Sequence, residues 1–315
     1  MTCPSALAAP KSLFCLVGPT AAGKTEAAVK VLEKLAGRVV SADARQVYKF
    51  LDIGTNKPSE ELRRRVGFEM LDLVSPEQSY SAADYARDAI PVIRNLLAAR
   101  TPFMLVGGSG LYLRALFAPF FAAPPADPAA RASLARLSIA ELYRHLQQID
   151  PPTAQRVDAH DRQRIIRALE VFEATGEPLS ELQHKAARVS EFAPVYVGLE
   201  VPRPLLNERI DARFGCMIGQ DLVEEVRHLL KMGYGADTTA LDAIGYREIV
   251  RYLDGNCSLE EATAAAKKRS RAYAKRQMTW FRHQPGIAWI DAQNPQRAAA
   301  EVEQRFKHYL AMSNR

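Results

Sequence analysis

The sequence lacks the features that would mark a membrane, disulfide or zinc protein. None of its apolar runs approaches the roughly 18 residues that a bilayer span needs. Its four cysteines, Cys3, Cys15, Cys216 and Cys257, lie far apart with no C-x-x-C pair, which argues against a zinc ribbon and against a disulfide framework. The six histidines form no H-x-x-x-H pair, so a transition metal held by the protein itself is not expected. The first fifteen residues have neither a long apolar region nor a small-residue cleavage pattern, and a cytoplasmic protein is the expectation. Acidic residues are missing between Glu261 and Asp291, where Lys267, Lys268, Arg269, Arg271, Lys275, Arg276 and Arg282 stand. That is the sharpest charge asymmetry in the chain.

What is present reads as an ordinary globular protein, with 48% hydrophobic and 25% charged residues. A length of 315 residues suits one large domain or two. The net charge of +6 permits a nucleic-acid partner without demanding one.

The most informative segment is Gly18-Pro19-Thr20-Ala21-Ala22-Gly23-Lys24-Thr25, of the form G-x-x-x-x-G-K-[ST]. Its glycines let successive N–H groups turn inward around phosphate oxygens, and the helix that follows adds the positive end of its dipole. Lys24 brings a point charge, and the Thr25 hydroxyl is a ready ligand for a phosphate-bound Mg²⁺. Context supports the motif. Leu13–Val17 is a short apolar run of the buried-strand kind, and Ala27, Ala28, Val31, Leu32 and Leu35 then recur at helical spacing up to Gly37.

Further strands are expected at Arg38–Ser41, Met70–Val74 and Phe103–Val106, with a helix from Ser81 or Ala82 to Ala98. This alternation predicts a parallel sheet covered by helices on both faces, with ligands beyond the carboxyl ends of the strands. The phosphate loop, Asp43 and Gly107-Gly108-Ser109-Gly110 all fall at such ends. Ala122–Pro128 is a turn-rich break, after which the pattern becomes helical. Ser138 with Glu141 forms a capping box, Asp150-Pro151-Pro152 stops that helix, and Asp161 caps another that ends near Gly176. Residues 121–194 are therefore expected to form an all-helical insertion in a core made of 1–120 and 195–315. Pro194–Leu199 resumes the sheet, Ser258 and Glu261 cap the long basic helix, Ala288–Ile290 is a last strand, and Asn294-Pro295 opens a closing helix.

Asp43, in Asp43-Ala44-Arg45-Gln46-Val47-Tyr48, is either a turn cap or a general base across the crevice from the phosphate loop. A kinase would also want a carboxylate there. The helix after Asp161 carries Arg162, Gln163, Arg164 and Arg167, and charge runs of this kind are usually solvated faces. The long basic helix between Ser258 and Pro285 places Arg271, Lys275, Met278 and Arg282 on one side and spans more than roughly 35 Å, enough to follow several phosphates.

Taken together, these blocks resemble the tRNA dimethylallyltransferases, also called tRNA isopentenyltransferases. The likeness covers nearly the whole chain. It runs through Gly18–Thr25, Asp43–Tyr48, Asp52–Pro58, Tyr80–Tyr85, Gly107–Tyr112, Gln163–Arg167, Ile244–Arg247 and Lys275–Arg282. It implies a P-loop NTPase-like sheet and transfer of a dimethylallyl group from its diphosphate to N6 of the adenosine next to the anticodon. It also implies that residues 18–25 hold diphosphate as a leaving group, with Mg²⁺ reached through Thr25. Asp43 matches the family's base. Lys24, Thr25, Ser109 and Arg247 would share in catalysis. The anticodon stem-loop of tRNA would meet Asp43, Ala44, Arg45, Gln46, Ser109 and Arg131. It would also meet Gln163, Arg164, Ile165, Ile166 and Arg167, then Asp242, Ala243, Ile244, Gly245, Tyr246 and Arg247. The last stretch is Lys275, Arg276, Gln277, Met278, Thr279, Trp280, Phe281 and Arg282. Ser109 replaces the usual threonine, and Ala44 stands where many members have serine. No membrane partner and a monomer are expected.

Chemistry fits this reading. An exocyclic aromatic amine needs a base as it attacks, the departing diphosphate needs positive charge, and the allylic cation must be kept from water. Two other readings compete. A small-molecule or nucleotide kinase shares the sheet and loop and wants an aspartate beside the loop, a place Asp72 or Asp43 could fill. An RNA-binding NTPase needs no covalent chemistry. The kinase also shares a lid insertion but leaves the acid-free basic helix unexplained, and the insertion and basic helix together argue against a relative that prenylates free adenine nucleotides.

Overall fold

Strands buried on both faces need continuous apolar sequence rather than alternation, and Phe14–Val17, Val39–Ala42 and Phe103–Gly107 supply it. The computed structural model describes residues 10–118, 123–124, 127–185, 190–235 and 238–313. Its first elements are β1 (Lys11–Val17), α1 (Lys24–Leu32), β2 (Arg38–Ala42), α2 (Glu60–Arg65), β3 (Gly67–Glu69), α3 (Ala82–Ala98), β4 (Phe103–Gly107) and α4 (Gly110–Phe117). Five helices follow: α5 (Pro128–Arg136), α6 (Ile139–Ile149), α7 (Pro151–Arg156), α8 (Arg162–Thr175) and α9 (Leu179–Lys185). The chain closes with β5 (Phe192–Glu200), α10 (Arg203–Gly219), α11 (Leu222–Lys231), α12 (Tyr246–Leu253), α13 (Leu259–Arg282), β6 (Ala288–Asp291) and α14 (Pro295–Ser313).

The six strands lie in the order β3-β2-β4-β1-β5-β6, and every neighbouring pair is parallel. Two compact units emerge, residues 1–117 with 191–315 and residues 118–190. In the first unit one core joins Phe14 and Leu16 of β1 to Ala28 and Val31 of α1 and to Val302 and Phe306 of α14. The Phe14 and Phe306 rings meet edge to face at 5.0 Å. The second unit has its own core of Leu142, Leu146, Ile165 and Leu169.

Several sequence expectations change. The strand expected at Met70–Val74 is displaced to β3, because Met70 and Asp72 have φ of 65° and 55°, left-handed values that a strand does not carry. The Asp72 carboxylate turns back to accept from Lys57 (2.6 Å) and Arg63 (2.7 Å), leaving only a bridge between Tyr48 and Val74. The turn after α1 ends at the left-handed Ala36 rather than at Gly37. Asp150-Pro151-Pro152 ends α6 and at once starts α7, since Asp150 caps the Thr153 amide at 3.1 Å. Strand β5 starts at Phe192, before Pro194. The turn-rich stretch at 122–128 lies partly outside the described residues, as does Cys3.

Among the described residues no helix is long and apolar enough to cross a membrane. Because Phe306 is fully buried against Phe14, Phe306→Ala should destabilise the protein by about 3–5 kcal/mol. Urea unfolding measures this, and a loss under about 1 kcal/mol would remove α14 from the core.

Candidate active site

The sheet order separates the two chemically loaded ends. Strand β4 lies between β1 and β2, so the phosphate loop after β1 and Asp43 after β2 stand two strand spacings apart, roughly 10 Å. The floor between them is kept low by glycine. A side chain on Gly107 would sit 2.1 Å from the Ala42 carbonyl, and one on Gly108 would sit 2.1 Å from the Gln277 amide. The trough above this floor is a cavity of about 430 Å³ that contains Lys24, Thr25, Asp43, Gln46, Gly107 and Arg213.

Residues 18–25 turn as the motif requires, with left-handed backbone at Ala21 (φ 63°) and Gly23 (φ 87°) just before α1. Lys24 donates to the carbonyls of Gly18 (3.0 Å) and Pro19 (2.7 Å). Burial lowers its pKa to about 8; the Asp43 carboxylate opposes this shift and Arg213 adds to it. Thr20 is tied to two helices: its amide donates to Gln277 of α13 at 2.8 Å, and its hydroxyl accepts from Arg213 of α10. Burial also lowers the Arg213 pKa, against the pull of Asp43.

Asp43 ends β2 in a turn in which it accepts the Arg45 amide at 2.8 Å. The neighbouring Ala44 amide donates to Ser109 Oγ at 2.9 Å. Ser109 is buried and fixes the direction of this turn. A second cavity, of about 450 Å³, adjoins the first and is lined by Asp43, Ala44, Arg45, Arg213, Tyr273 and Arg276. Asp43 and Arg213 line both. Arg45 also donates to the Thr239 carbonyl at 3.2 Å, and Arg276 lies 5.7 Å from the centre of the Tyr273 ring.

The other sequence candidates divide. Arg247, expected to steady the departing charge, lines neither cavity and pairs with Asp242 at 3.0 Å on an exposed surface. Arg213, which no sequence motif singled out, lines the Lys24 cavity. Gln46 lines the first cavity, but its amide is engaged: it donates to the carbonyls of Thr55 and Asn56 (3.2 Å each) and accepts from Ser41 at 3.1 Å. Gln277, Phe281, Tyr246, Ile165 and Ile166 are buried, and Ala243, also buried, lines the second cavity. Their stretches present other residues at the surface. In α13 those are Lys275, Arg276, Thr279 and Arg282, all exposed, although Arg282 pairs with Glu200. The acid-free run is thus partly neutralised from neighbouring elements, with Arg269 on Glu248 and Arg271 on Asp211 at 2.5 Å each. Within the second unit, Gln163 and Arg164 are exposed, and the buried Glu170 carboxylate holds Arg131 (3.2 Å) and Arg167 (3.3 Å). Asp72, the aspartate a kinase could have used, is spent on Lys57 and Arg63 and does not line the Lys24 cavity.

Among the described residues no cluster of three or more His, Cys, Asp or Glu could hold a metal. The Thr25 hydroxyl, an oxygen donor of the kind Mg²⁺ takes, lines the Lys24 cavity.

Residues 46–284 match the model of a family described as IPP transferase. The chain is 44% identical over 284 residues to the tRNA dimethylallyltransferase of Geobacter sulfurreducens, covering 89% of this chain and 91% of that one. It is 43% identical over 288 residues to tRNA dimethylallyltransferase 2 of Geotalea uraniireducens, covering 89% and 92%. Among solved structures, the full-length tRNA isopentenylpyrophosphate transferase from Bacillus halodurans is similar with a TM-score of 0.71 and 34% identity, over 96% of this chain and 98% of that one. With its parallel P-loop NTPase-like sheet and a family match across most of its length, this chain belongs to the IPP transferases, the tRNA dimethylallyltransferase family, and is a prenyl-transferring enzyme of tRNA modification.

Proposed function

We propose that the chain transfers the dimethylallyl group of dimethylallyl diphosphate to N6 of the adenosine immediately 3′ to a tRNA anticodon, releasing diphosphate. The reading is carried by one observation: Asp43 lines both the cavity that holds Lys24 and the adjoining cavity lined by Arg45, Tyr273 and Arg276. The diphosphate lies against residues 18–25, with Lys24 and Arg213 supplying charge as it leaves. Mg²⁺ held through Thr25 would supply further charge to the phosphates when bound. The adenine enters from the second cavity after leaving its stack, as a base must when its reacting atom is otherwise out of reach. N6 forms a bond to the allylic carbon, the carbon–oxygen bond to diphosphate breaks, and the N6 proton passes to Asp43. Ser109 contributes by fixing the Asp43 turn through the Ala44 amide. Anticodon-loop contacts are assigned to Lys275, Arg276 and Thr279 of α13 and to Arg131, Gln163, Arg164 and Arg167 of the helical unit.

The test is to supply dimethylallyl diphosphate with either an anticodon stem-loop RNA or AMP and to weigh the products. Prenylated stem-loop and unchanged AMP are expected; prenylated AMP alone, or strong ATP turnover without RNA, would refute the reading. Asp43→Asn should cut turnover by about 10²- to 10⁴-fold while RNA affinity stays within a few-fold, as measured by single-turnover kinetics and filter binding.

Lys24 gives a pH signature. Its ammonium is charged below about pH 8 and loses its proton as pH rises through that value, whereas a bound anion holds the proton on. Affinity for inorganic diphosphate should therefore be full below pH 8 and fall above it, beyond any change seen with Lys24→Met under the same titration calorimetry. Identical profiles for the two proteins would exclude Lys24 from the anion site. Because Lys275 is exposed with no carboxylate in ion-pair range among the described residues, Lys275→Ala should lower the salt slope of stem-loop binding by about one; an unchanged slope means no phosphate contact there.

A further inference from the structure

One wall of the reaction trough is held from a distance by a carboxylate that no motif singled out. We propose that Glu225 of α11 is a positioning residue for prenyl transfer, fixing the loop at 52–56 that walls both cavities and holds the Gln46 amide. The role rests on the functional reading above.

Residues 52–54 present three consecutive backbone N–H groups to one side chain. Glu225 Oε2 accepts from Asp52 (3.2 Å) and Ile53 (2.7 Å), and Oε1 accepts from Gly54 (3.3 Å). Consecutive amides converging in this way form an anion-binding concavity, and here the anion belongs to the protein. Glu225 Oε1 also accepts from the Tyr246 hydroxyl at 2.5 Å. Tyr246 is fully buried, and burial with the nearby Glu225 carboxylate holds its phenol protonated, well above its ordinary pKa. Its ring fills the space over Gly54, where any side chain would approach within 2.4 Å. Charge-assisted bonds of this kind are stronger than neutral ones, and the four bonds tie three segments together: the loop, α11 and α12.

The loop passes this order on to the site. Beyond the anchored amides, the Thr55 and Asn56 carbonyls accept both N–H groups of Gln46, whose oxygen is held by Ser41 of β2. Thr55 and Asn56 line the cavity of Lys24 and also the adjoining one. Glu225 lines neither, so it acts only through the loop. Loosening the loop should spoil the alignment of the two substrates more than the grip on diphosphate, which belongs to residues 18–25.

The experiment compares wild type, Glu225→Gln, Glu225→Ala and Tyr246→Phe in steady-state prenyl transfer to a stem-loop RNA, alongside amide hydrogen exchange and thermal melting. Gln keeps an accepting oxygen and loses the charge, so it should fall between Glu and Ala. For Glu225→Ala, kcat should drop by about 10- to 100-fold with KM for dimethylallyl diphosphate within about twofold of wild type. Exchange should accelerate about tenfold in the peptide spanning 52–56 and stay unchanged in α1. Tyr246→Phe should give a smaller loss of the same kind. The proposal is overturned if kcat holds at the wild-type value while the 52–54 amides open. It is equally overturned if exchange rises throughout the chain and activity falls only in proportion to the folded fraction. A wild type that makes no prenylated RNA overturns the functional reading and this role with it, whereas an active wild type with an indifferent Glu225→Ala overturns the positioning role alone.

Discussion

The structure depends on a close approach between backbones at the end of β4. Gly107 and Gly108 let that strand end lie flat between the phosphate loop and Asp43, with the Ala42 carbonyl and the Gln277 amide pressed against them. A larger residue at either position would collide with these neighbours and push the end of β4 away from them. The distance between the two functional ends follows from sheet topology, because β4 is inserted between β1 and β2. Both ends of the trough are thus set by strands of one parallel sheet.

Around this trough the helices hold the reacting loops more than they cover them. Gln277 of α13 joins the Thr20 amide to the Gly108 carbonyl, so the basic helix is bonded on its inner side to the two loops it overlies. Arg213 of α10 reaches the Thr20 hydroxyl and lines both cavities. Ser109 holds the Asp43 turn through Ala44, and Glu225 holds the far wall through residues 52–54. Each of these contacts crosses a long stretch of sequence, and all but that of Arg213, which meets a hydroxyl, hold backbone groups. Fixed polar groups aimed at developing charge are worth most when they need not reorganise.

Much of this was legible in the sequence because it is local. The strand–loop–helix of residues 11–32, the caps at Ser138 and Ser258 and the Asp161 cap are short-range devices with recognisable spacing. The juxtaposition of the phosphate loop and Asp43 was legible too, since both follow strands of one parallel sheet. The role of Arg213 was not, although α10 carries Leu206, Ile210, Phe214 and Met217 at helical spacing. That spacing marks the buried face, and nothing in it reports that the neighbouring arginine reaches a loop nearly two hundred residues earlier. Motif blocks also blurred function with support. Ile165, Ile166, Tyr246, Gln277 and Phe281 sit inside blocks that resemble RNA contacts, yet they are buried and hold the exposed members of those blocks in place. The Met70–Val74 expectation failed for a different reason: an ion-paired Asp72 in the left-handed region breaks an otherwise strand-like run.

The central claim is that one continuous trough carries the prenyl diphosphate from the phosphate loop to Asp43. It is tested most directly by a crystal structure with a non-reactive dimethylallyl thiodiphosphate. The account predicts diphosphate oxygens on the amides of residues 18–25 and on Lys24, with the first isoprenoid carbon directed across Gly107 towards the Asp43 carboxylate. An analogue whose isoprenoid end points away from Asp43, or whose diphosphate binds outside the loop, would contradict it.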